Sequence, residues 1–488
     1  MNMPLLPFLI CAIGTAGLFY LDRDRSARTS RALWLPVIWV SIVGSRPISS
    51  WLGVGPAGGN LDATLEGNST DAAVFLVLLL AGVRVLIRRK ESMRGFFGTN
   101  RPLVVYFTYC LLSVLWSPIP EPSFKRWIKA VGDVVMVLIV ATDDLPVVAI
   151  GRFFSYVGFL LLPASVLLIR YSDLGRGFDP DGNAMNTGVT TNKNMLGVLV
   201  LVVGLAALWH VCALLRAKRQ PDHKSRLVAQ CTLLAFSIAL LAMAHSATCV
   251  GCFVLGSGLI LVSSLPMIQR RPGLIHIVVL TLVLGGGLGM VFGGDAVVVG
   301  ALGRDTSLTG RTDIWTRAIS LARDPIIGSG FESFWNSNSQ ILRTFSEVNM
   351  FSNLNSAHNG YIEVYLELGW VGLGLIVTIL MSSYRLAGRV FQCDPEIGGL
   401  ILAYVMTIPL YNISEAGFRL FSPIWISFLL SYVFAGRILR GYAQNSEVSS
   451  EPIDQAVPLG GPDRNEVLLN GAPETSQVNR PQHGWTEA

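Results

Sequence analysis

Apolar stretches of about membrane-spanning length recur along almost the whole chain, separated by polar segments that are mostly short. Stretches near 20 residues match the roughly 30 Å hydrocarbon core of a bilayer, at about 1.5 Å per helical residue. The pattern therefore predicts an all-α, polytopic membrane helix bundle with about 12–13 transmembrane helices. The apolar segments lie at approximately 4–20, 33–54, 72–87, 102–117, 127–141, 147–169, 194–215, 228–244, 249–265, 274–292, 361–381, 397–412 and 420–436.

Two longer polar segments interrupt this alternation. Loop 293–360 is too long for a simple connection and should hold structure of its own. Within it, residues 312–323 place polar and apolar side chains on opposite faces of a helix, which the following Asp-Pro pair should end. From about residue 441 the chain is polar and lacks periodic apolar positions, as is typical of disorder. We therefore expect a membrane domain at 1–440, with a structured extracytoplasmic loop at about 293–360, and a disordered cytoplasmic tail at 441–488.

The composition agrees with a membrane protein. Hydrophobic residues make up 51% of the 488 residues and charged residues only 14%, with a mean hydropathy of +0.53. Soluble domains usually carry about 25% charged residues, so a water-soluble multidomain enzyme is excluded. The net charge of +5 comes from basic loops and does not indicate a nucleic-acid partner.

Lys and Arg residues predict the orientation of the bundle. They cluster after the first, third and seventh apolar segments and continue on the same side of the later ones. The positive-inside rule then places these loops in the cytoplasm and the N-terminus outside. Loops 55–71, 170–193 and 293–360 fall outside. The first segment lacks a basic n-region and a clear cleavage site, which predicts an uncleaved helix and not a signal peptide.

Several basic side chains nevertheless lie in segments predicted to face outward, which suggests that something anionic is held there. A guanidinium fork matches phosphate oxygens bidentately. Arg304 and Arg311 lie in a glycine-containing run, Gly303 to Arg311, whose flexible backbone could wrap a ligand. Lys193 and Arg126 are further candidates for an anion site. The alternative is contact with lipid headgroups or water.

His358 is the candidate proton acceptor. It is one of only six histidines and lies where the external loop re-enters the membrane, in Ser-Ala-His358-Asn-Gly-Tyr. Histidine side chains titrate near pH 6.5 and can accept a proton at neutral pH. Asn359, Glu363 and Glu367 follow at intervals of four and should form one stripe on the next helix. Glu415 lies in another outer loop, four residues before Arg419.

The carboxylates of Glu363 and Glu367 need a partner or a cavity. An ionised carboxylate costs roughly 2.5–3.5 kcal/mol at the centre of a membrane helix, and less near the interface. The stripe should therefore face the interior of the bundle, with Arg311, Lys193 or Lys129 as possible partners. A purely structural buried ion pair is the alternative for each glutamate.

The chain contains none of the short motifs for zinc proteases, nucleotide phosphates, serine nucleophiles or dinucleotides. Cys249 and Cys252 have CxxC spacing, but they sit in an apolar segment with no second ligand pair. We expect no cofactor and no metal.

The same residues carry a resemblance to a known family. The chain resembles the O-antigen ligase and O-antigen polymerase (Wzy-type) superfamily, especially bacterial exopolysaccharide polymerases. The similarity is strongest from Arg311 to His358. The motifs are Leu308-Thr-Gly-Arg-Thr-Asp-Ile-Trp315, Asp324-Pro-Ile-Ile-Gly-Ser-Gly330 and Ala357-His-Asn-Gly-Tyr-Ile-Glu-Val-Tyr-Leu-Glu-Leu-Gly-Trp370-Val-Gly, with weaker matches at Ser45-Arg-Pro-Ile-Ser-Ser-Trp51, Trp116-Ser-Pro and Thr191-Asn-Lys-Asn194.

This resemblance implies a GT-C-like fold and a glycosyl transfer without metal or nucleotide sugar. The donor would be a glycan on a polyprenyl diphosphate such as undecaprenyl diphosphate, and the acceptor a glycan or a lipid A core. The resemblance gives Arg311 a phosphate role, His358 the role of base and Lys193 a weaker phosphate role. One departure is Ser246-Ala247-Thr248, where many relatives carry a basic residue. A second cation would then come from Arg304, Lys193 or Arg126.

We therefore expect a multi-pass enzyme of the bacterial inner membrane, with its active site in the periplasm, that polymerises repeat units of a surface polysaccharide. The alternative is an O-antigen ligase that moves glycan onto lipid A core. A flippase or transporter is less favoured, because transporters place charges near the midplane of related halves. Membrane lipids and other polysaccharide export proteins are the expected partners.

Overall fold

Each of the thirteen apolar segments contains a helix in the computed structural model, which describes residues 5–24, 27–54, 68–90, 92–93, 95–178, 182–217, 222–291, 309–335 and 356–450. Short helices at Ile48–Trp51, Phe96–Thr99 and Pro266–Arg270 and single 3-10 turns at Arg31–Leu33, Val114–Trp116 and Asp173–Gly175 connect the longer ones. The longer helices are α1 Leu5–Leu21, α2 Trp34–Val43, α3 Ser69–Arg88, α4 Arg101–Ser113, α5 Pro120–Ala141, α6 Pro146–Tyr171, α7 Lys193–Arg216, α8 His223–Ala244, α9 Ala247–Ser263, α10 Leu274–Val291, α11 Thr309–Ser320, α12 Gly360–Cys393, α13 Pro395–Ser414 and α14 Pro423–Ser450.

The described residues confirm an all-α, multi-pass membrane protein. Within the described ranges, seven helices are long and apolar enough to cross a bilayer, namely α3, α6, α7, α8, α12, α13 and residues Pro423–Gln444 of α14. Four shorter apolar helices span Leu5–Leu21, Arg31–Val43, Arg101–Trp116 and Ala247–Ser263. The predicted number of 12–13 crossings stays a prediction. Between α6 and α7, β1 (Arg176–Phe178) and β2 (Ala184–Asn186) form a small antiparallel hairpin, with Gly177 opposite Met185.

Helix α7 lies at the centre of the bundle. It is apolar on all sides and packs against α6, α8, α9 and α13, as expected for a helix without a polar face. Its first turn is capped by Asn192, whose Oδ1 accepts a hydrogen bond from Met195 N at 2.9 Å. The cap fixes where α7 begins and therefore fixes the position of Asn194, which lies in that first turn.

Contacts between loops sort the helix ends into two groups, as the basic residues predicted. The ends predicted to be cytoplasmic contact one another through Arg226–Asp24, Arg89–Asp143 and Arg437–Ser92. The ends predicted to be outside contact one another through Arg46–Thr187, Asn186–Met243 and Arg311–Glu415. These contacts agree with helices that alternate in direction along the described part of the chain.

The predicted helix in the external loop is confirmed as α11, which begins and ends about three residues earlier than expected. It packs through a small separate core against α12 and the turn at 331–335. The buried members of this core are Ile314, Ala318, Phe334, Trp335, Ala357 and Leu366. This second core holds the helix that carries Arg311 against the start of the helix that follows His358.

A sharp kink divides α12 at Gly369, whose φ of 63° lies in the left-handed region. The segment 325–330 packs into the kink through its backbone. Ser329 N donates to Leu366 O at 3.0 Å, and Trp370 N donates to Pro325 O at 2.9 Å. A Cβ at position 369 would overlap the carbonyl of Ile326, so the close approach of the two backbones requires glycine.

The residues up to Tyr442 form one compact unit. Helix α14 continues to Ser450, so the first part of the segment predicted to be a tail is helical. Residues 451–488 lie outside the described residues, and the disordered tail stays a prediction.

Candidate active site

A buried carboxylate joins the two residues that the sequence singled out. Glu415 Oε1 lies 3.2 Å from Arg311 Nη2, and Glu415 Oε2 lies 3.3 Å from His358 Nδ1. Asn194 Nδ2 donates to Glu415 Oε1 at 3.0 Å, and Arg311 Nη1 donates to the carbonyl of Ser414. Three separate elements therefore converge on Glu415 at the end of α13: the first turns of α7 and α11, and the residues before α12.

The side chains of Glu415, Arg311 and His358 differ in their exposure. The side chain of Glu415 is 8% exposed, whereas those of Arg311 and His358 are 30% and 39% exposed. A carboxylate accepts, so Nδ1 carries the proton in this pair, and the neutral imidazole keeps its lone pair on Nε2. The arrangement offers a guanidinium and a proton acceptor to a ligand while it withdraws the carboxylate from water.

The backbone at His358 adopts a left-handed conformation, with φ of 50°. His358 N donates to Ser356 Oγ at 3.1 Å. The next residue, Asn359, caps α12 by accepting hydrogen bonds from Tyr361 N and Ile362 N, and its Nδ2 donates to Ile413 O at 2.9 Å. The turn that carries His358 is thus tied to both α12 and α13.

Gly360 brings α12 close to α13. Its N–H donates to Glu415 O at 3.1 Å, and a Cβ at this position would overlap the side chain of Asn412. Asn412 is fully buried, and its Oδ1 accepts hydrogen bonds from Gly417 N and Phe418 N. Glycine is therefore required where the two helices meet beside Glu415.

The polar stripe on α12 faces the protein interior, as predicted. Both oxygens of Glu363 accept hydrogen bonds, one from Ala357 N and one from Trp335 Nε1, each at 2.6 Å. Glu367 Oε2 accepts a hydrogen bond from Glu332 N at 3.1 Å. These bonds supply the glutamates with N–H donors from the external loop.

Glu332 forms a second buried acidic centre that the sequence did not indicate. Its Oε1 accepts a hydrogen bond from Leu420 N at 3.2 Å, and its Oε2 lies 3.9 Å from Arg419 Nη2. Burial raises the pKa of Glu332, and the nearby Arg419 and Arg126 oppose that shift. Arg126 also donates to the carbonyl of Glu332.

The remaining predicted cations lie in different places. Arg126 is 1% exposed, so its position favours a structural role over contact with a diphosphate. Lys193 is the first residue of α7 and precedes Asn194, which binds Glu415. Arg304 lies outside the described residues.

The segment that departs from the family pattern lies beside the site. Thr248 Oγ1 is 2.8 Å from Ser414 Oγ, and the carbonyl of Ser414 accepts the hydrogen bond from Arg311. Ala247 begins α9 and is exposed. A basic side chain at position 247 would therefore stand at the edge of the candidate site.

The sequence singled out Arg311 and His358, which the structure brings together at Glu415, but it did not indicate all of the residues around them. Asn194 lies in the segment 191–194, and nothing in its sequence neighbours pointed to Glu415, 221 positions away. Arg419 lies near Glu332 instead of following the spacing to Glu415, because residues 415–422 do not form a helix. The i,i+4 spacing brings side chains together only on a helix.

Comparisons with known proteins bear on this region. The family model described as O-Antigen ligase matches residues 232–377, a range that includes both Arg311 and His358. The chain is also 24% identical, over 385 residues, to the "Exopolysaccharide production protein ExoQ" of Rhizobium meliloti (strain 1021). That similarity covers 75% of this chain and 81% of the relative.

Proposed function

We propose that this chain, which matches the O-Antigen ligase family model over residues 232–377, is a glycosyltransferase of surface-polysaccharide biosynthesis. The donor is a glycan linked to a polyprenyl diphosphate, and the acceptor is a hydroxyl of a second glycan. The observation that carries the proposal is the contact of one buried carboxylate, Glu415, with both Arg311 and His358.

The transfer needs one bond formed, one bond broken and one proton moved. The acceptor oxygen attacks the anomeric carbon of the donor sugar, and the bond from that carbon to the phosphate oxygen breaks. The polyprenyl diphosphate leaves with the bonding electrons. The acceptor proton passes to Nε2 of His358, a step of general-base catalysis that typically contributes about 10²–10⁴-fold.

Arg311 stabilises the leaving group. Its guanidinium presents several N–H donors, and two of them are used by Ser414 and Glu415. Those two contacts fix the orientation of the guanidinium, and the 30% exposed side chain can offer its other N–H groups to phosphate oxygens. A preorganised donor of this kind stabilises charge that develops in the transition state. Lys193 is the second proposed contact to the diphosphate.

Glu415 orients the imidazole and stabilises its charged form. With Nδ1–H directed to the carboxylate, Nε2 is free of its proton before the reaction and receives one during it. The positive charge then lies beside a buried carboxylate, where water screens it little. Glu415 therefore links the proton acceptor and the leaving-group cation in one unit.

Polymerisation of repeat units is the form of this reaction that we favour, supported by the similarity to a protein named for exopolysaccharide production. Attachment of glycan to a lipid A core is the alternative, because both reactions would use the same groups and differ only in the acceptor. We place the enzyme in the bacterial inner membrane with the site facing the periplasm, in keeping with the sorting of basic residues. Membrane lipids and polysaccharide export proteins are its proposed surroundings.

The test is reconstitution of the purified chain in lipid vesicles with a labelled polyprenyl-diphosphate repeat unit. Wild type should lengthen glycans and release polyprenyl diphosphate, whereas His358→Ala, Arg311→Ala and Glu415→Gln should each lose at least about 10²-fold of the rate. Arg317→Ala, one and a half turns further along α11, is the matched control and should retain activity.

The products distinguish the alternatives. A ladder of longer glycans identifies a polymerase, and release that requires added lipid A core identifies a ligase. Movement of the intact lipid-linked unit between leaflets, without cleavage, would contradict the proposal. Full activity of both His358→Ala and Arg311→Ala would contradict the assignment of the site.

A further inference from the structure

We propose that Glu363 is a positioning residue for His358, and that its role depends on both carboxylate oxygens accepting hydrogen bonds. The inference rests on the proposed transferase function and concerns how the proton acceptor is held. Glu363 lies in the first turn of α12 and is buried. It acts on the N–H of Ala357, in the peptide between residues 356 and 357, and does not touch the imidazole.

The residue before His358 is held on both of its peptide groups. Ala357 is fully buried, and its N–H donates to Glu363 Oε1 at 2.6 Å. Its carbonyl accepts a hydrogen bond from Trp315 Nε1 at 2.8 Å. Trp315 lies one turn after Arg311 on α11, so the helix that supplies the guanidinium also fixes the backbone that supplies the imidazole.

The second oxygen of Glu363 is occupied by an indole. Trp335 Nε1 donates to Glu363 Oε2 at 2.6 Å, and both side chains are buried. Two N–H donors therefore point at the two ends of one side chain. A carboxylate satisfies both, because each of its oxygens is an acceptor. A glutamine in the same rotamer would turn its NH₂ group toward one of the two N–H donors and leave that buried donor without an acceptor, which is costly.

This arrangement matters because packing around the imidazole cannot hold it. The side chain of His358 is 39% exposed, and its φ of 50° is a conformation that the surrounding structure must maintain. The direction of the imidazole therefore follows the backbone at Ala357, whose N–H is held by Glu363 and whose carbonyl is held by Trp315. A rotation of that backbone would move Nδ1 away from Glu415, and a misplacement of about 1 Å can cost about 10²-fold in rate.

A donor–acceptor swap tests this inference. We expect Glu363→Gln to lower kcat by about 10- to 100-fold, with the KM for the lipid-linked donor changed by less than about twofold, because the cations are untouched. Trp335→Phe removes one N–H donor. In the double variant E363Q/W335F, the amide oxygen of the glutamine can accept from Ala357 N while its NH₂ faces the phenyl ring. The double variant should therefore recover at least several-fold of the kcat lost in Glu363→Gln.

Trp116→Phe is the matched control, because the indole nitrogen of Trp116 has no hydrogen-bond partner among the described residues. It should not rescue Glu363→Gln. The thermal unfolding temperature is measured for every variant. If kcat simply follows that temperature, or if the double variant is no more active than Glu363→Gln, Glu363 is only structural and the inference is overturned.

The outcomes also separate this inference from the proposed function. A wild-type chain that transfers glycan while Glu363→Gln keeps its full kcat refutes the positioning role alone. A wild-type chain without transferase activity refutes both. If Glu363→Gln cannot be obtained folded but E363Q/W335F can, the requirement for two acceptors is supported. If neither variant folds, Glu363 is only structural and the inference is overturned.

Discussion

At the scale of single residues, the candidate site is built from acceptors that are buried and donors that are exposed. Glu415 is withdrawn from water, while Arg311 and His358 remain accessible. Nearby, the buried Glu363, Glu367 and Glu332 each accept at least one backbone N–H from an external segment, and these donors are buried as well. The glutamates therefore organise loops that lack regular hydrogen bonding of their own.

Position 247 offers a prediction of gained function. Ala247 is exposed and directly precedes Thr248, whose hydroxyl contacts Ser414 at the edge of the site, and the resemblance implies a basic residue at this position in many relatives. We expect Ala247→Arg to lower the KM for the lipid-linked diphosphate several-fold at low salt, because a guanidinium there adds a contact to phosphate. The effect should shrink as salt is raised.

Steady-state kinetics in vesicles measure this effect. Ala247→Gln, which has similar length but no charge, is the control and should leave the KM unchanged. An equal KM for Ala247→Arg and wild type, at low salt, would show that position 247 does not face the diphosphate.

The principal pair was accessible to sequence reasoning because its signals are local. His358 lies among turn-forming residues at a membrane border, and Arg311 lies in a run that opens a helix. Their common partner was harder to identify. The sequence predicted Glu415 only as a supporting residue, four positions before Arg419, because no local pattern shows which loops contact one another. The contacts from Asn194, Arg311 and His358 to Glu415 span 221, 104 and 57 positions.

At the scale of elements, the kink in α12 is the feature that most affects the site. The backbone of residues 325–330 enters the kink and exchanges hydrogen bonds with both of its sides. Tyr109 OH adds a hydrogen bond to Leu368 O at 3.2 Å. The external loop is thereby attached to α12 by backbone groups, which substitutions of side chains do not remove.

Gly369→Ala should therefore destabilise the protein markedly. The methyl group would meet the carbonyl of Ile326, and the left-handed φ of 63° disfavours alanine. The conformational part alone costs on the order of 1–3 kcal/mol, because the ψ of −164° places this residue in a region that is essentially restricted to glycine. Thermal unfolding in detergent should show a lower midpoint for Gly369→Ala, together with reduced transferase activity.

Gly374 provides the matched control on the same helix. A Cβ there meets nothing within 4 Å, so Gly374→Ala should be neutral or slightly stabilising. Equal midpoints for Gly369→Ala and wild type would mean that the loop and α12 can separate without cost.

The helices themselves could be predicted from the sequence because apolar length determines them. The α11 helix was also predictable from its two-faced pattern. The kink was not, because a glycine within an apolar run is common in membrane helices. Glycine is required at position 369 because residues 325–330, some 40 positions earlier, pack against it, and no periodic pattern reveals such a contact.

At the scale of the whole molecule, a polar network ties together the helix ends predicted to be cytoplasmic. Asp22, just after α1, accepts a hydrogen bond from Gln230 Nε2 at 2.8 Å. Burial raises the pKa of Asp22 to about 6, while Gln230, Arg226 and Arg152 oppose the shift. Three helices, α1, α6 and α8, meet at this carboxylate.

The raised pKa makes stability depend on pH. Below about pH 4, Asp22 is protonated in both the folded and unfolded states, so its ionisation does not change the free energy of unfolding. As the pH rises from about 4 to 6 the unfolded state loses the proton first, so the folded state loses relative stability of order 3 kcal/mol, all of it by about pH 6. Asp22→Asn removes this loss and keeps an oxygen acceptor for Gln230.

We therefore expect Asp22→Asn to raise the thermal unfolding midpoint at pH 8 and to leave it unchanged near pH 4. Midpoints measured across this range in detergent provide the test, with the exposed Glu121→Gln as a control for the loss of one carboxylate. An Asp22→Asn variant that is less stable than wild type at pH 8 would show that the charge itself is needed at this junction.

The kink also divides α12 into two parts with different requirements. The residues between His358 and Leu368 are hydrogen-bonded to the external loop and the end of α13, whereas the rest of α12 continues to Cys393 with both buried and exposed side chains. A change in the length of that later part, as a bilayer of different thickness would require, can be accommodated beyond Gly369 without rotating the turn that holds the imidazole. The match of this helix to a bilayer and the geometry of the candidate site therefore depend on different stretches of it.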